Sequence, residues 1–212
     1  LGSDQKEIVT RRVAAASAAR SNWTGRIATL DYDQIRADPV LMRFVREDGH
    51  RLFGDNCAAC HGMMATGNPG FPDLTDREWL WGGSPDAIAR TIAVGINSPA
   101  HDETRVSQMM AFGKDGILDN DAVLAVTDYV KSLSDPIWAK NKGASIASGR
   151  DVFAANCVVC HGDQGRGNTE IGAPNLTDQN WIYGGDISAI YRTIYAGRQG
   201  EMPAWEGRLS PV

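Results

Sequence analysis

From Asp119 to Leu133 the apolar residues fall at Val123, Leu124, Val126, Tyr129, Val130 and Leu133. That spacing predicts a helix with one buried face. A second helix is expected to begin at Asp38-Pro39, with Asp38 as N-cap and Pro39 at the first helical position. It continues through Leu41, Phe44 and Val45 to Leu52-Phe53 and ends at Asn56-Cys57. Arg150-Asp151-Val152-Phe153-Ala154-Ala155-Asn156-Cys157 repeats its last turns. Lys6 to Arg20 is rich in alanine and charge, and Ile8, Val9 and Val13 give it only a weak apolar stripe. It reads as a helix, either solvated or in contact with a membrane subunit. Residues 134–143, with Asp135-Pro136 and Lys140-Asn141-Lys142-Gly143, read as a linker. Ser210-Pro211 looks like a helix start where a closing helix is due, so the second half is expected to lack that helix.

The halves repeat one another. Leu74-Thr75-Asp76 returns as Leu176-Thr177-Asp178, Trp79 as Trp181 and Gly82-Gly83 as Gly184-Gly185. Arg90-Thr91-Ile92 returns as Arg192-Thr193-Ile194 and Gly95 as Gly197, all 102 residues later. A constant offset over this length means duplication of a whole module. The stretch from Gly95 to Met109 is nine residues longer than that from Gly197 to Met202, so the first module carries an insertion around Ser98-Pro99-Ala100-His101-Asp102-Glu103. The expected architecture is all-α, with an N-terminal helical extension over 1–37, a first domain over 38–133, the linker, and a second domain over 144–212.

Each module carries one C-x-x-C-H: Cys57-Ala58-Ala59-Cys60-His61 and Cys157-Val158-Val159-Cys160-His161. These motifs use all four cysteines of the chain. Two thiols on one helical turn can form thioethers to the two vinyl groups of one haem, and the adjacent histidine then faces the iron. A redox dithiol or a four-cysteine zinc site would explain the pairs but not the histidine after both. The reading is therefore two tandem cytochrome c-type, class I-like haem domains holding two covalent haem c groups and no disulfide. Modules of about 100 residues bury modest cores, and haem would supply missing apolar bulk.

A net charge of −5, which haem propionates make more acidic, disfavours nucleic acid as a partner. No run of about 18 apolar residues is present to span a membrane. The chain opens without methionine at Leu1-Gly2-Ser3. Because haem c is attached outside the cytoplasm, an export or anchor segment is expected to precede it.

The sixth ligand decides between electron transfer and small-molecule chemistry. Met202-Pro203-Ala204-Trp205 stands where a c-type fold returns to the distal face, and Met109-Met110-Ala111-Phe112 is its match. Met109 and Met202 are the expected iron ligands beside His61 and His161, with Met110 the immediate rival to Met109. Methionine as core filler is the competing role. Met63 and Met64 would line a haem edge, His101 reads as a surface residue, and His50 has no special role. Each proximal histidine should donate its other ring N–H to a carbonyl, and the loops carrying Pro72 and Pro174 are placed to provide it. Trp79 and Trp181 are candidate propionate contacts. Arg90 and Arg192 read rather as solvated helix residues.

Asn-Cys-x-x-Cys-His-Gly, Gly-Ala-Pro-Asn-Leu-Thr-Asp, Trp-Ile-Tyr-Gly-Gly and Met-Pro-Ala-Trp together resemble the dihaem CcoP/FixP subunit family of cbb3-type cytochrome c oxidases. The resemblance covers roughly residues 38–212. It implies a membrane anchor ahead of Leu1 and a location on the periplasmic side of the bacterial inner membrane. It implies a subunit that performs no bond-making. Electrons would arrive from a cytochrome c or the cytochrome bc1 complex and pass via a monohaem partner toward the haem–copper catalytic subunit. Met110 stands where the family usually has proline in the first Met-Pro-Ala. A free soluble dihaem shuttle is the alternative; a dihaem peroxidase would need an open sixth position, which the two methionines argue against.

Overall fold

The computed structural model describes residues 4–210, and the described residues hold ten helices and isolated β-bridges but no sheet. The masked Pro211 leaves the Ser210-Pro211 helix start outside the described residues. The chain divides into two compact units, residues 1–57 with 207–212, and residues 58–206.

The first unit holds α1 (Gln5–Ile27), α2 (Tyr32–Ala37) and α3 (Pro39–Asn56). No residue of α1 is buried, as its weak stripe foretold. It is tied to α3 by Trp23, which stacks on Phe44 with ring centroids 5.3 Å apart, and by Arg26, which pairs with Asp38 at 2.6 Å. Asp31 and Gln34 close a reciprocal capping box on α2. Asp38 caps α3 by accepting from Val40 and Leu41 N–H, with Pro39 in the first turn.

The second unit contains α4 (Ala58–His61), α5 (Pro85–Val94), α6 (Asn120–Ser134), α7 (Pro136–Asn141), α8 (Gly143–Asn156), α9 (Val158–His161) and α10 (Ile187–Ala196). Its core joins Val123, Val126, Tyr129 and Val130 of α6 to Phe153 of α8, Ile190 and Ile194 of α10, and Phe112 and Leu176. The helix expected to close the first module thus packs along α8 and across α10 of the second. Two features make this possible. Gly149 of α8 lies so close to α6 that a Cβ there would stand 2.0 Å from the Ala125 carbonyl oxygen. One turn on, the buried Phe153 ring meets Tyr129 at 5.2 Å.

The linker is itself built. Asp135 caps α7 by accepting from Ile137 and Trp138 N–H. Asp128 of α6 accepts from Trp138 Nε1 at 3.1 Å and from Ser145 Oγ at 2.6 Å. These bonds fold the connection so that α6 and α8, neighbours in sequence, become neighbours in space.

Candidate functional site

Both C-x-x-C-H motifs adopt the same local form. α3 ends with Cys57 as its C-cap and α8 with Cys157, each cap N–H bonding the carbonyl four residues back, at Phe53 and Phe153. One helical turn then carries the rest of each motif, α4 to His61 and α9 to His161. The four cysteines form no disulfide. Burial, and next the neighbouring Cys160, push the Cys157 thiol up to about 11. A redox dithiol needs a depressed value instead. Among the described residues no three His, Cys, Asp or Glu side chains converge as a metal site.

His61 Nδ1 lies 3.1 Å from the Pro72 carbonyl and His161 Nδ1 3.0 Å from that of Pro174. A proton on Nδ1 satisfies each bond and leaves Nε2 as the free lone pair. Burial lowers the pKa of His161, partly countered by its Pro174 bond, so it stays neutral and able to ligate.

A cavity of about 1070 Å³ opens beside the second motif, lined by Cys160, Pro174, Trp181, Tyr183, Arg192 and Arg198. Its far wall comes from the first module's loop, including Pro72 and Trp79. It stands at the upper end of the roughly 300–1,000 Å³ of cofactor pockets. Trp79 and Trp181 border it while packing flat on their own glycines, Gly83 and Gly185.

The methionine segments cross between modules. Met109 exchanges two backbone hydrogen bonds with Arg198, at 2.8 and 3.0 Å, and Met202 exchanges two with Ile96, both at 2.9 Å. The repeated glycines permit this. Gly95 has φ +70° and a Cβ there would lie 2.4 Å from the Met202 carbonyl oxygen; Gly197 has φ +69° and would meet Met109 O at 2.5 Å. No other residue fits both the left-handed backbone and the approach. Met109 packs against the core that also touches Cys157, Val158 and Trp181, while Met110 is half-exposed.

The remaining candidates sort readily. Met63 and Met64 are exposed, and so is His50. His101 uses both ring nitrogens, Nε2 toward Glu206 at 2.8 Å and Nδ1 accepting from Glu103 N–H at 3.1 Å. Arg90 pairs with Glu103 at 3.0 Å in the open, and Arg192 borders the cavity. The sequence reading missed the crossing of the methionine segments, although the repeated Gly95 and Gly197 mark it. It also missed Trp81 and Arg105, a stacked pair whose indole and guanidinium Nε donors are buried without acceptors.

Two haem motifs, two proximal histidines anchored on carbonyls, and an open crevice define a tandem c-type cytochrome, and the donor set suits haem c at both motifs. A cytochrome c family model matches residues 46–134, and one for cytochrome c oxidase, cbb3-type, subunit III matches residues 144–212. The cbb3-type cytochrome c oxidase subunit FixP of Bradyrhizobium sp. (strain ORS 278) is 46% identical over 211 residues, spanning 100% of this chain and 72% of that protein. The subunit CcoP of Cereibacter sphaeroides is 39% identical over 210 residues, spanning 99% of this chain and 71% of its own length. The chain belongs to the CcoP/FixP family of cbb3-type cytochrome c oxidase subunits, and so serves electron transfer within that oxidase. No described helix is long and apolar enough to cross a membrane.

Proposed function

We propose that the chain is the dihaem electron carrier that receives electrons from a cytochrome c or cytochrome bc1 donor. It passes them, through a monohaem subunit, toward the haem–copper catalytic subunit. In this reading a membrane anchor precedes Leu1 and both modules face the periplasm. Two haem c groups, held at Cys57/Cys60 and Cys157/Cys160, supply one-electron redox chemistry. The protein's share is to fix ligands and exclude water. His61 and His161 present Nε2, held in orientation by Pro72 and Pro174.

The observation that carries the reading is the crossed pairing of the methionine segments. Met109, set against the core with Cys157 and Trp181, would serve the haem of the second motif, and Met202, bonded to Ile96, that of the first. Thioether ligation would raise the potential and leave no open position, which suits outer-sphere transfer rather than substrate binding.

Purification of the full-length protein from native membranes tests the assignment to the oxidase. Cyanide-sensitive oxygen uptake with co-purified b-type haem and copper is expected; a chain bringing only its own two haems, with no uptake, would overturn it. The crossing is tested where Cys57→Ser and Cys60→Ser remove the first haem. Met109→His should then lower the potential of the remaining haem and Met202→His leave it unchanged; the opposite result would refute the crossing.

A further inference from the structure

Arg105 lies just past the insertion that only the first module has. Its backbone is pinned on both sides: its N–H donates to Gly95 O at 3.1 Å and its carbonyl accepts from Asn97 at 2.7 Å. Thr104 Oγ1 accepts from Ser98 N–H at 2.9 Å, and Asn97 bonds both ways with Ser107. The side chain is thereby aimed inward. Its guanidinium carbon sits 4.8 Å above the Trp81 ring, and Nη2 donates to Ala87 O at 3.3 Å. Arg105 Nε is buried with no acceptor, and so is Trp81 Nε1.

Two buried N–H groups left open in one stacked pair cost more than they return, unless an acceptor meets them. The charge points the same way. Among the described ion pairs no carboxylate meets Arg105; burial disfavours its cation, and Arg90 adds repulsion. A partly buried guanidinium with a cation nearby and no paired carboxylate calls for an anion. Two open donors in one stacked pair, one of them charged, suit the two oxygens of a carboxylate.

The second module repeats the arrangement at matched positions. Tyr183 stands 102 residues after Trp81, and Arg198 lies over its ring at 4.4 Å. Arg198 stands four residues before Met202, as Arg105 stands four before Met109. Both Tyr183 and Arg198 border the cavity that contains Cys160 and Pro174. The arginine-over-aromatic pair therefore belongs to the haem crevice in the second module, and its counterpart in the first should as well.

We propose that Arg105 and Trp81 form the seat for a propionate of the haem held by His61. This rests on the dihaem reading above. The seat neutralises a propionate charge beside the iron, and its loss should favour the oxidised state.

The test is potentiometric titration of the full-length protein, with the haem content fixed first by the pyridine haemochrome assay. Arg105→Gln should shift one of the two redox waves so that the oxidised-to-reduced ratio at a given poise rises roughly tenfold, about 59 mV for one electron. Trp81→Phe, which keeps the ring but removes the N–H, should move the same wave by less. Arg105→Lys should restore most of the shift, and Arg198→Gln should move the other wave. The propionate bending band in resonance Raman should change in Arg105→Gln and Trp81→Phe. Unmoved waves in both variants with both haems retained would overturn the proposal alone. A parental potential that responds to added acetate would overturn it too, because the seat would then be open to solvent carboxylates. A parent without two c haems would overturn the dihaem reading, and the proposal with it.

Discussion

Replacing Gly149 by alanine tests the packing of α6 on α8. In an exposed helix interior the change stabilises by about 0.5–1 kcal/mol, because glycine loses more backbone freedom on folding. Gly149 is not so placed. The added methyl would stand 2.0 Å from Ala125 O, 2.6 Å from its carbonyl carbon and 2.8 Å from Tyr129 Cβ. Two of these three are backbone atoms, so no side-chain rotation relieves them. α6 would have to retreat by more than 1 Å to restore van der Waals distance, opening the contact of Phe153 with Tyr129. Overpacking costs about 1–3 kcal/mol, and here it outweighs the helix-propensity gain. Gly49 in α3 is the matched control, with nothing within 4 Å of its hypothetical Cβ. Thermal unfolding of the haem-loaded protein should show Gly149→Ala lowering Tm by about 2–8 °C and Gly49→Ala raising it slightly. The far-red methionine–iron band should weaken only in Gly149→Ala, since Met109 leans on the same core. A Gly149→Ala variant as stable as Gly49→Ala would refute the packing of α6 on α8.

Phe153, only 2% exposed, anchors the same contact, so Phe153→Ala should cost about 3–5 kcal/mol in denaturant titration. Ser98→Ala should destabilise by about 1–3 kcal/mol, because the buried Ser98 Oγ is the acceptor for Ala204 N–H at 3.1 Å and nothing replaces it. Asp178→Asn should have a pH signature. Burial, with Glu78 and Asp76 nearby, raises the Asp178 pKa in the folded protein. Its ionisation therefore opposes folding, and stability falls as pH rises from the ordinary carboxylate range through the raised value. The variant should be the more stable at neutral pH and lose its advantage in acid; an advantage that persists in acid would contradict the assignment.

Helix ends and chemistry were legible because they depend on near neighbours. Asp38-Pro39 capped α3 as its sequence promised, and both C-x-x-C-H motifs emerged as single helical turns. The apolar stripe of α6 also announced a buried face, yet said nothing of which module it covers. That depends on Gly149, whose role in helix approach looks the same in sequence as a mere flaw in propensity. The crossing of Met109 and Met202 was equally silent, since alignment of two repeats compares positions and not partners. Arg105 escaped notice for a related reason: the insertion shifts its match, Arg198, away from the offset of 102, and the open donors of Arg105 and Trp81 show only in the structure.

The reciprocal bridges at Ile96–Met202 and Met109–Arg198 also bear on how such a protein can be made and altered. A cut within residues 134–143 would not release two working cytochromes, because each fragment would leave with the other's strap. Tandem duplication normally yields parts that later evolution can separate, shuffle or lose one at a time. Here the copies have been knotted into mutual dependence. The ribosome must deliver the chain beyond Met202 before the earlier half acquires its last contact, so maturation becomes a property of the whole rather than of each repeat.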